Sequence, residues 1–224
     1  MEKWQLLESV EKFRKERLAR IRQPAPLAKP LEGGLIILHM VPEESIEDRA
    51  TFHDGVLHVG KRQLKRLPLE SLHRPDQSVY NIDGKIVPFI YELESRLEGY
   101  VQLFFDGTVE SVTAFRPVEF LPTEELDLSL SEVIRDYLEI QQSIGVKPPI
   151  MLMLSIAGPK DLAADSTVTV KAKLELPPHK LHSYDEYSED SGGKVLKPIL
   201  DRMWAATGRE GSPSYKNGKF NPTK

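Results

Sequence analysis

Apolar residues recur every three to five positions from Trp4 to Ile21, and charged residues fill the positions between them. This spacing predicts an amphipathic helix with one apolar stripe. A proline-rich spacer, 24–30, ends the helix, because proline lacks a backbone donor. The next apolar stretch, 35–41, is continuous, as in a strand covered on both faces. A surface helix therefore leads into the first strand of a sheet.

Three Asp-Gly pairs mark predicted hairpins. Asp54-Gly55 predicts a short hairpin, and Asp83-Gly84 and Asp106-Gly107 predict two longer ones between alternating apolar segments. Asp-Gly suits a type I′ turn, because both central residues need positive φ. Between the two longer hairpins, residues 90–97 fit either a continued strand or a helical turn.

Five elements are predicted in the second half of the chain. They are a helix from Leu128 to Gly145 capped by Ser129 or Ser131, a buried strand over 149–156, a half-buried strand over 168–176, a polar mobile loop over 179–193, and a last helix over 195–207 with Gly208 as its C′ residue.

This order of elements predicts an α+β fold. We expect a mainly antiparallel sheet built from hairpins, with helices packed on one side, plus the N-terminal helix. That helix either packs on the sheet or projects toward a neighbour. The predicted organisation is an N-terminal helix and linker (1–30), the α+β domain (31–208) and a flexible, Gly- and Ser-containing C-terminal tail (209–224).

Composition narrows the class of protein without identifying an activity. The 224 residues are 40% hydrophobic and 29% charged, which is ordinary for a globular protein. No apolar run approaches the ~20 residues of a membrane span, and the charged N-terminus does not resemble a signal peptide. The absence of cysteine excludes disulfides and thiol chemistry. We therefore expect a cytoplasmic protein.

Charge is unevenly distributed along the chain. The net charge is −4, but residues 75–142 alone contain 4 basic and 14 acidic residues. This acidic middle argues against one continuous nucleic-acid surface.

Two runs of basic residues remain as candidate phosphate contacts. The first run consists of Lys12, Arg14, Lys15, Arg17 and Arg20, and the second of Lys61, Arg62, Lys65 and Arg66. A solvated helix face is the simpler interpretation of the first run, because Glu11 and Glu16 dilute it. A third interpretation is a docking surface for a protein partner or a second copy, formed by Trp4, Leu7 and Phe13.

Histidine supplies only a weak metal candidate. His179 and His182 have the i,i+3 spacing of helical ligands and are followed by several acidic residues. Pro177-Pro178 and the polar sequence that follows favour a solvated loop instead, so no metal site or cofactor is predicted. His39 lies within the apolar strand and is expected to be a hydrogen-bonded core residue.

No catalytic residue is predicted either. Ser155 lies in the middle of a strand, where no sharp turn exposes a nucleophile. Gly33-Gly34 precedes a strand, whereas a phosphate loop follows one.

Several segments, in order, resemble one bacterial family. They are Phe13-Arg14-x-Glu16-Arg17-Leu18-x-Arg20-Ile21, then Pro24 and Pro26, Gly34-Leu35-x-x-Leu38-His39-x-Val41-Pro42, Tyr80-Asn81-Ile82-Asp83-Gly84, Tyr100-Val101-Gln102-Leu103-Phe104-x-x-Gly107, Leu196-Lys197-Pro198-Ile199-Leu200-Asp201-x-x-Trp204-x-Ala206-x-Gly208 and Ser212-Pro213-Ser214-Tyr215. This pattern is similar to the C-terminal portion of bacterial proteins that carry a Schlafen-type, AlbA-like domain.

Such proteins are usually labelled DNA-binding or ATP-binding. No stretch here resembles the AlbA-like domain itself, so that label carries over to no residue of this chain. The resemblance implies only an accessory role, in sensing, oligomerising or orienting.

Three hypotheses follow, in order of preference. The first is a non-enzymatic interaction or regulatory module that binds a protein partner or itself. The second is nucleic-acid binding through the two basic runs, and the third is a metal-dependent hydrolase using His179 and His182.

Overall fold

A computed structural model describes residues 3–21, 31, 33–47, 51–67, 74–91, 96–115, 122–157, 173–187, 192–216 and 218–222. The helices in these ranges are α1 (Lys3–Arg20), α2 (Glu43–Glu47), α3 (His53–His58), α4 (Glu124–Ser143) and α5 (Gly192–Ala205), with a 3-10 helix at Tyr184–Tyr187. The strands are β1 (Gly34–Pro42), β2 (Arg74–Pro75), β3 (Val79–Tyr80), β4 (Gly84–Tyr91), β5 (Arg96–Phe104), β6 (Val109–Phe115), β7 (Ile150–Ala157), β8 (Lys173–Glu175), β9 (His179–Leu181), β10 (Tyr215–Lys216) and β11 (Lys219–Phe220).

Nine of these strands form one antiparallel sheet. The order is β2-β4-β5-β6-β1-β7-β8, with β3 also pairing with β4 and β9 with β7. The predicted α+β class with a mainly antiparallel sheet is therefore confirmed.

Strand β1 lies at the centre of the sheet and is buried on both faces. Ile36, Leu38 and Met40 point into the core formed with α4 and α5. Leu35 and Ile37 point to the opposite face, where the end of α1 covers them. This explains the unbroken apolar run, and it shows that α1 packs on the sheet rather than projecting from it.

Within the described ranges, each edge of the sheet carries two strands of two or three residues. β2 and β3 pair with β4, and β8 and β9 pair with β7. Prolines interrupt each edge, at Pro75 and at 177–178. Short, proline-containing edges resist pairing with other chains, because proline donates no backbone hydrogen bond.

The prediction of a hairpin at Asp54-Gly55 is wrong, because this pair lies in the first turn of α3. An aspartate there is favoured by the helix dipole. Glycine is required at position 55 by close packing rather than by a turn, since a Cβ at this position would lie 2.8 Å from the Ile144 Cβ.

The two longer hairpins exist, but neither has the predicted type I′ turn. In the second hairpin the Gly107 N–H donates to the Phe104 carbonyl at 3.0 Å, so the central residues of the turn are Phe105 and Asp106. Gly107 has φ of +83° in the β5–β6 connection. The Asp83-Gly84 connection is instead organised by Asn81, whose Oδ1 accepts from the backbone N–H groups of Asp83 (2.9 Å) and Gly84 (2.8 Å). Gly84 already belongs to β4, where a Cβ would lie 2.2 Å from the Leu103 carbonyl oxygen.

Helix α4 begins earlier than predicted. Its cap is Thr123, whose hydroxyl accepts from the Leu126 N–H at 3.0 Å, rather than Ser129 or Ser131. Ser129 is buried within the helix.

The predicted loop over 179–193 contains β9 and the 3-10 helix. Of the predicted strand over 168–176, only β8 and Leu176 are described, and the rest lies outside the described residues. The alternative left open for 90–97 is settled in part, because β4 extends through Tyr91 and β5 begins at Arg96.

Candidate functional site

A fully buried carboxylate lies between α1 and the sheet. Glu110 of β6 accepts from Arg17 Nε at 2.8 Å and from Arg17 Nη2 at 2.7 Å. It also accepts from the Tyr100 hydroxyl at 2.7 Å, and His39 Nε2 lies 2.9 Å from its Oε2. We call Arg17, His39, Tyr100 and Glu110 the Glu110 cluster.

The strand register assembles this cluster. His39 of β1 is directly opposite Glu110 of β6, and Gln102 of β5 is opposite Glu110 on its other side. Arg17 reaches down from α1 and closes the ion pair. The prediction that His39 is a hydrogen-bonded core residue is confirmed, because its side chain is fully buried.

Positive charge controls the ionisation of Glu110. Burial raises the pKa of this carboxyl, but the hydrogen bonds and charges of Arg17 and His39 outweigh burial and lower the pKa to about 2. Burial acts to lower the pKa of Arg17, yet the hydrogen bond and charge of Glu110 raise it overall. The pair is therefore ionised at neutral pH.

Helix α1 covers the Glu110 cluster. The Phe13 ring makes an edge contact with His39, with centroids 5.5 Å apart, and another with Phe104 at 6.4 Å. The Arg17 guanidinium lies 4.9 Å from the centre of the Phe104 ring. In this arrangement the cluster attaches the helix to the sheet.

Arg14 makes a second attachment near the β7–β8 edge. This residue is 3% exposed, and its Nη1 donates to the Leu176 carbonyl at 2.6 Å. Glu11 accepts from Arg14 Nε and Nη2, and Glu175 lies 3.5 Å away. Two arginines of the first basic run therefore point toward the protein interior.

The remaining cations of that run point outward. Lys12, Lys15 and Arg20 are exposed on α1. The structure thus splits the first basic run into an inward pair of arginines and an outward group of three. Only the outward group is available to phosphates without moving the helix.

The second basic run is also split. Lys61 and Arg62 are exposed, and Lys65 pairs with Asp136 at 2.8 Å. Arg66 is 6% exposed and donates to the Glu98 carbonyl at 3.3 Å. Burial lowers the pKa of Arg66 to about 10.

The three predicted docking residues have different environments. Trp4 is 59% exposed, whereas Leu7 is half-buried and packs against the apolar cluster of Leu6, Val10, Val41, Met151 and Met153. Phe13 faces the sheet. The residues that α1 exposes, which we call its outer face, are Trp4, Gln5, Glu8, Lys12, Lys15, Glu16, Ala19 and Arg20.

His179 lies in β9, and His182 directly follows the last residue of that strand. His179 belongs to β9 opposite Leu152, and burial lowers the pKa of its imidazole. The backbone N–H of His182 donates to Glu186 at 2.9 Å. Within the described ranges, no group of three or more histidine, aspartate or glutamate side chains has the arrangement of a metal site.

A second buried carboxylate, which sequence reasoning missed, lies between α4 and the C-terminal segment. Asp127 Oδ2 accepts from the hydroxyls of Ser212 (2.5 Å) and Ser214 (2.7 Å). Trp204 Nε1 donates to it at 3.0 Å. We call these four residues the Asp127 cluster.

No positive charge balances Asp127 among these three donors. Burial raises the pKa of Asp127, and the hydrogen bonds from Ser212, Ser214 and Trp204 offset this only in part, so the pKa stays above its ordinary value. Of the four residues, only Asp127 could have been recognised from the sequence as a buried polar residue. It lies beside Leu126 and three residues before Leu130, on the apolar face of α4.

The tail, predicted to be flexible, contains this second attachment. Ser212 and Ser214 are buried, and Tyr215 and Phe220 pack against the main core. The polar composition of the tail gave no sign of these contacts, because the acceptor of the two serine hydroxyls lies more than 80 positions earlier in the chain.

Comparison with known proteins identifies no relative. No family model, curated protein or solved structure matches the chain. None of the helices in the described part of the chain combines the length and apolar character that a membrane span requires.

Proposed function

We propose that this chain is a non-enzymatic interaction or regulatory module that presents the outer face of α1 to a protein partner or to a second copy. The observation that carries the proposal is the contrast within one helix. Arg14 and Arg17 point inward and are held by carboxylates, while Trp4 is 59% exposed.

A fixed helix favours binding because its conformational entropy is already lost before the partner arrives. Tryptophan is enriched at binding hot spots, since it offers a large apolar surface with one polar donor. Glu8, Lys12, Lys15 and Glu16 follow Trp4 along the outer face and give it charges of both signs. Charges of both signs beside an apolar anchor give a binding surface orientation and specificity.

The resemblance to the C-terminal portion of Schlafen-type, AlbA-like proteins supports an accessory role rather than a catalytic one. In such a role the module would position or oligomerise another domain. We propose the cytoplasm as its compartment, on the cysteine-free composition.

Nucleic-acid binding is the second candidate, favoured by the outward position of Lys12, Lys15 and Arg20. Three phosphate contacts on one helix face give weak, strongly salt-dependent binding. Exposed Lys61 and Arg62 belong to a different segment, after α3.

Light scattering on the full-length chain over a range of concentrations tests the first candidate. We expect an oligomer that Trp4→Glu weakens at least about tenfold, because a charge replaces an anchor residue. Leu57→Glu is the matched control, since Leu57 is also exposed (40%) but lies on α3. Equal effects of the two substitutions would contradict a role for α1.

A labelled DNA duplex and single strand, each at two salt concentrations, separate the second candidate from the first. Binding that falls steeply with salt and is lost in the triple variant Lys12→Glu, Lys15→Glu, Arg20→Glu would favour nucleic acid. A monomer with such binding would overturn self-association through α1 and favour the nucleic-acid candidate.

A further inference from the structure

The C-terminal segment, described over 209–216 and 218–222, folds back onto α4 and α5. In the described part of the chain its two strands, β10 and β11, pair with each other and with no strand of the main sheet. The segment can therefore leave its position without breaking a hydrogen bond of the nine-stranded sheet.

Side chains of α4 and α5 hold the segment in place. Asp127 accepts both serine hydroxyls, and Asp201 Oδ1 accepts from the Ser212 N–H at 3.0 Å. The Lys197 Nζ lies 4.9 Å from the centre of the Tyr215 ring. These contacts together recognise the short pattern serine-x-serine-tyrosine. Two carboxylates accept hydrogen bonds from the serines, and a lysine cation lies over the tyrosine ring.

The connection between α5 and the segment is short and exposed. Ala205, Ala206 and residues 208–210 face solvent, and Gly208 has φ of +83°. Changing the course of this connection would bury or expose little apolar surface. Glycine allows the change at small conformational cost.

We propose that the α4–α5 face around Asp127 is a docking site that the C-terminal segment of a second copy of this chain can occupy, so that two chains exchange these segments. Every contact that the segment makes within its own chain is available in the exchanged dimer, because the receiving side chains are identical. The receiving face lies on the opposite side of the sheet from α1. The proposal is therefore independent of the outer face of α1.

Engineered cysteines give a direct test, because the chain has none of its own. A Cβ at Gly211 would lie 3.9 Å from the Asp201 Cβ. This distance is within the range that a disulfide requires. The double variant Asp201→Cys/Gly211→Cys should therefore form an intrachain disulfide when it is oxidised at low protein concentration.

The two single variants test exchange. Asp201→Cys and Gly211→Cys chains, distinguished by mass, are refolded together from urea at high protein concentration and then oxidised. We expect the mixed disulfide dimer to exceed that of a control pair, Glu139→Cys with Gly211→Cys, by about tenfold or more, because docking raises the effective concentration of the two sulfurs. Glu139 is an exposed residue of α4.

Two outcomes of these experiments would contradict the proposal. A mixed dimer no more abundant than in the control pair would overturn the exchange. A double variant that stays reduced would show that Gly211 does not lie beside Asp201, and it would overturn the docking itself.

Light scattering provides a second measurement without new cysteines in the reference protein. Trp4→Glu chains, in which association through the outer face of α1 is weakened, should still form dimers when they are refolded at high concentration. The double variant that also carries Trp4→Glu and is oxidised beforehand should remain monomeric, because its segment is tethered to its own α5. Dimers that persist in this tethered variant, or that are absent from Trp4→Glu, would contradict segment exchange.

Discussion

Glu110 and Asp127 are both buried carboxylates, and each attaches one end of the chain to the folded body. Glu110 holds α1 through Arg17, with His39 and Tyr100 as further partners. Asp127 holds the C-terminal segment through two hydroxyls and an indole N–H. One attachment is an ion pair, and the other uses neutral donors alone.

The two environments shift the carboxyl pKa in opposite directions. Burial acts to raise both values, but cations outweigh it at Glu110, where the pKa is about 2, and neutral donors do not outweigh it at Asp127, where the pKa is raised. Burial alone therefore does not determine the sign of a pKa shift. The charge of the hydrogen-bond donors determines it.

The difference also sets how firmly each chain end is held. Removing one member of a buried ion pair leaves an uncompensated charge and is strongly destabilising. Removing one of several neutral donors leaves the remaining bonds in place and has a smaller effect. We therefore expect α1 to be the more firmly attached end, and the C-terminal segment to be the more easily exchanged one.

Arg17→Ala should give the largest effect on this comparison. Glu110 would lose both guanidinium bonds while remaining buried, so the free energy of unfolding should fall by about 3–5 kcal/mol at neutral pH. Urea unfolding followed by circular dichroism measures this change.

Arg20→Ala is the matched control, since Arg20 lies on the same helix but is exposed. Its effect should stay within about 0.5 kcal/mol. A loss of similar size in both variants would mean that the Glu110 cluster is not what attaches α1, because alanine favours the helix at both positions.

The pH dependence of stability should show that the pKa values of the two carboxyls are shifted in opposite directions. The pKa of Glu110 is about 2 in the folded chain against an ordinary value of 4.5. Its stabilisation is therefore complete above pH 4.5 and is lost as the pH falls toward 2, by roughly 3 kcal/mol in total. The pKa of Asp127 is raised above its ordinary 3.8, so its stabilisation is complete below pH 3.8 and is lost as the pH rises through the raised value.

Two substitutions separate these contributions when the free energy of unfolding is measured at pH 6 and at pH 3. Glu110→Gln should lose less stability than wild type on acidification, because it lacks the titrating group that acid neutralises. Asp127→Asn should lose more than wild type, because the compensating gain from Asp127 protonation is absent. Parallel pH profiles for all three proteins would contradict the assignment of either shift.

Much of the fold was predictable because its signal is local. Alternation and the unbroken apolar run of β1 identified the sheet, and Asp106-Gly107 identified a hairpin. Asp54-Gly55 misled, because the same dipeptide serves a helix that approaches Ile144 closely. Local residue preferences do not distinguish a turn from a close contact made far along the chain.

The Glu110 cluster was not predictable as a unit, because Arg17 and Glu110 are separated by 93 positions. A partial signal was present: Arg14 and Arg17 continue the helical stripe of Val10 and Ile21, whereas Lys12 and Lys15 do not. Counting the run as one basic patch overlooked this spacing. The Asp127 cluster gave still less signal, because two serines in a polar tail resemble flexible sequence.

Ser214→Ala should give the smallest effect. Asp127 would retain Ser212 and Trp204 as donors, so the loss of one neutral hydrogen bond should lower the free energy of unfolding by about 1 kcal/mol.

Because this bond holds only the C-terminal segment, the main consequence should be local. Trypsin should cleave after Lys216 and Lys219 faster than in wild type, while the remainder of the chain resists cleavage. Ser183→Ala, a substitution outside the Asp127 cluster, should leave the cleavage rate unchanged. A global loss of 3 kcal/mol or more in Ser214→Ala, beyond the usual range for one neutral bond, would show that the segment is as integral to the fold as α1.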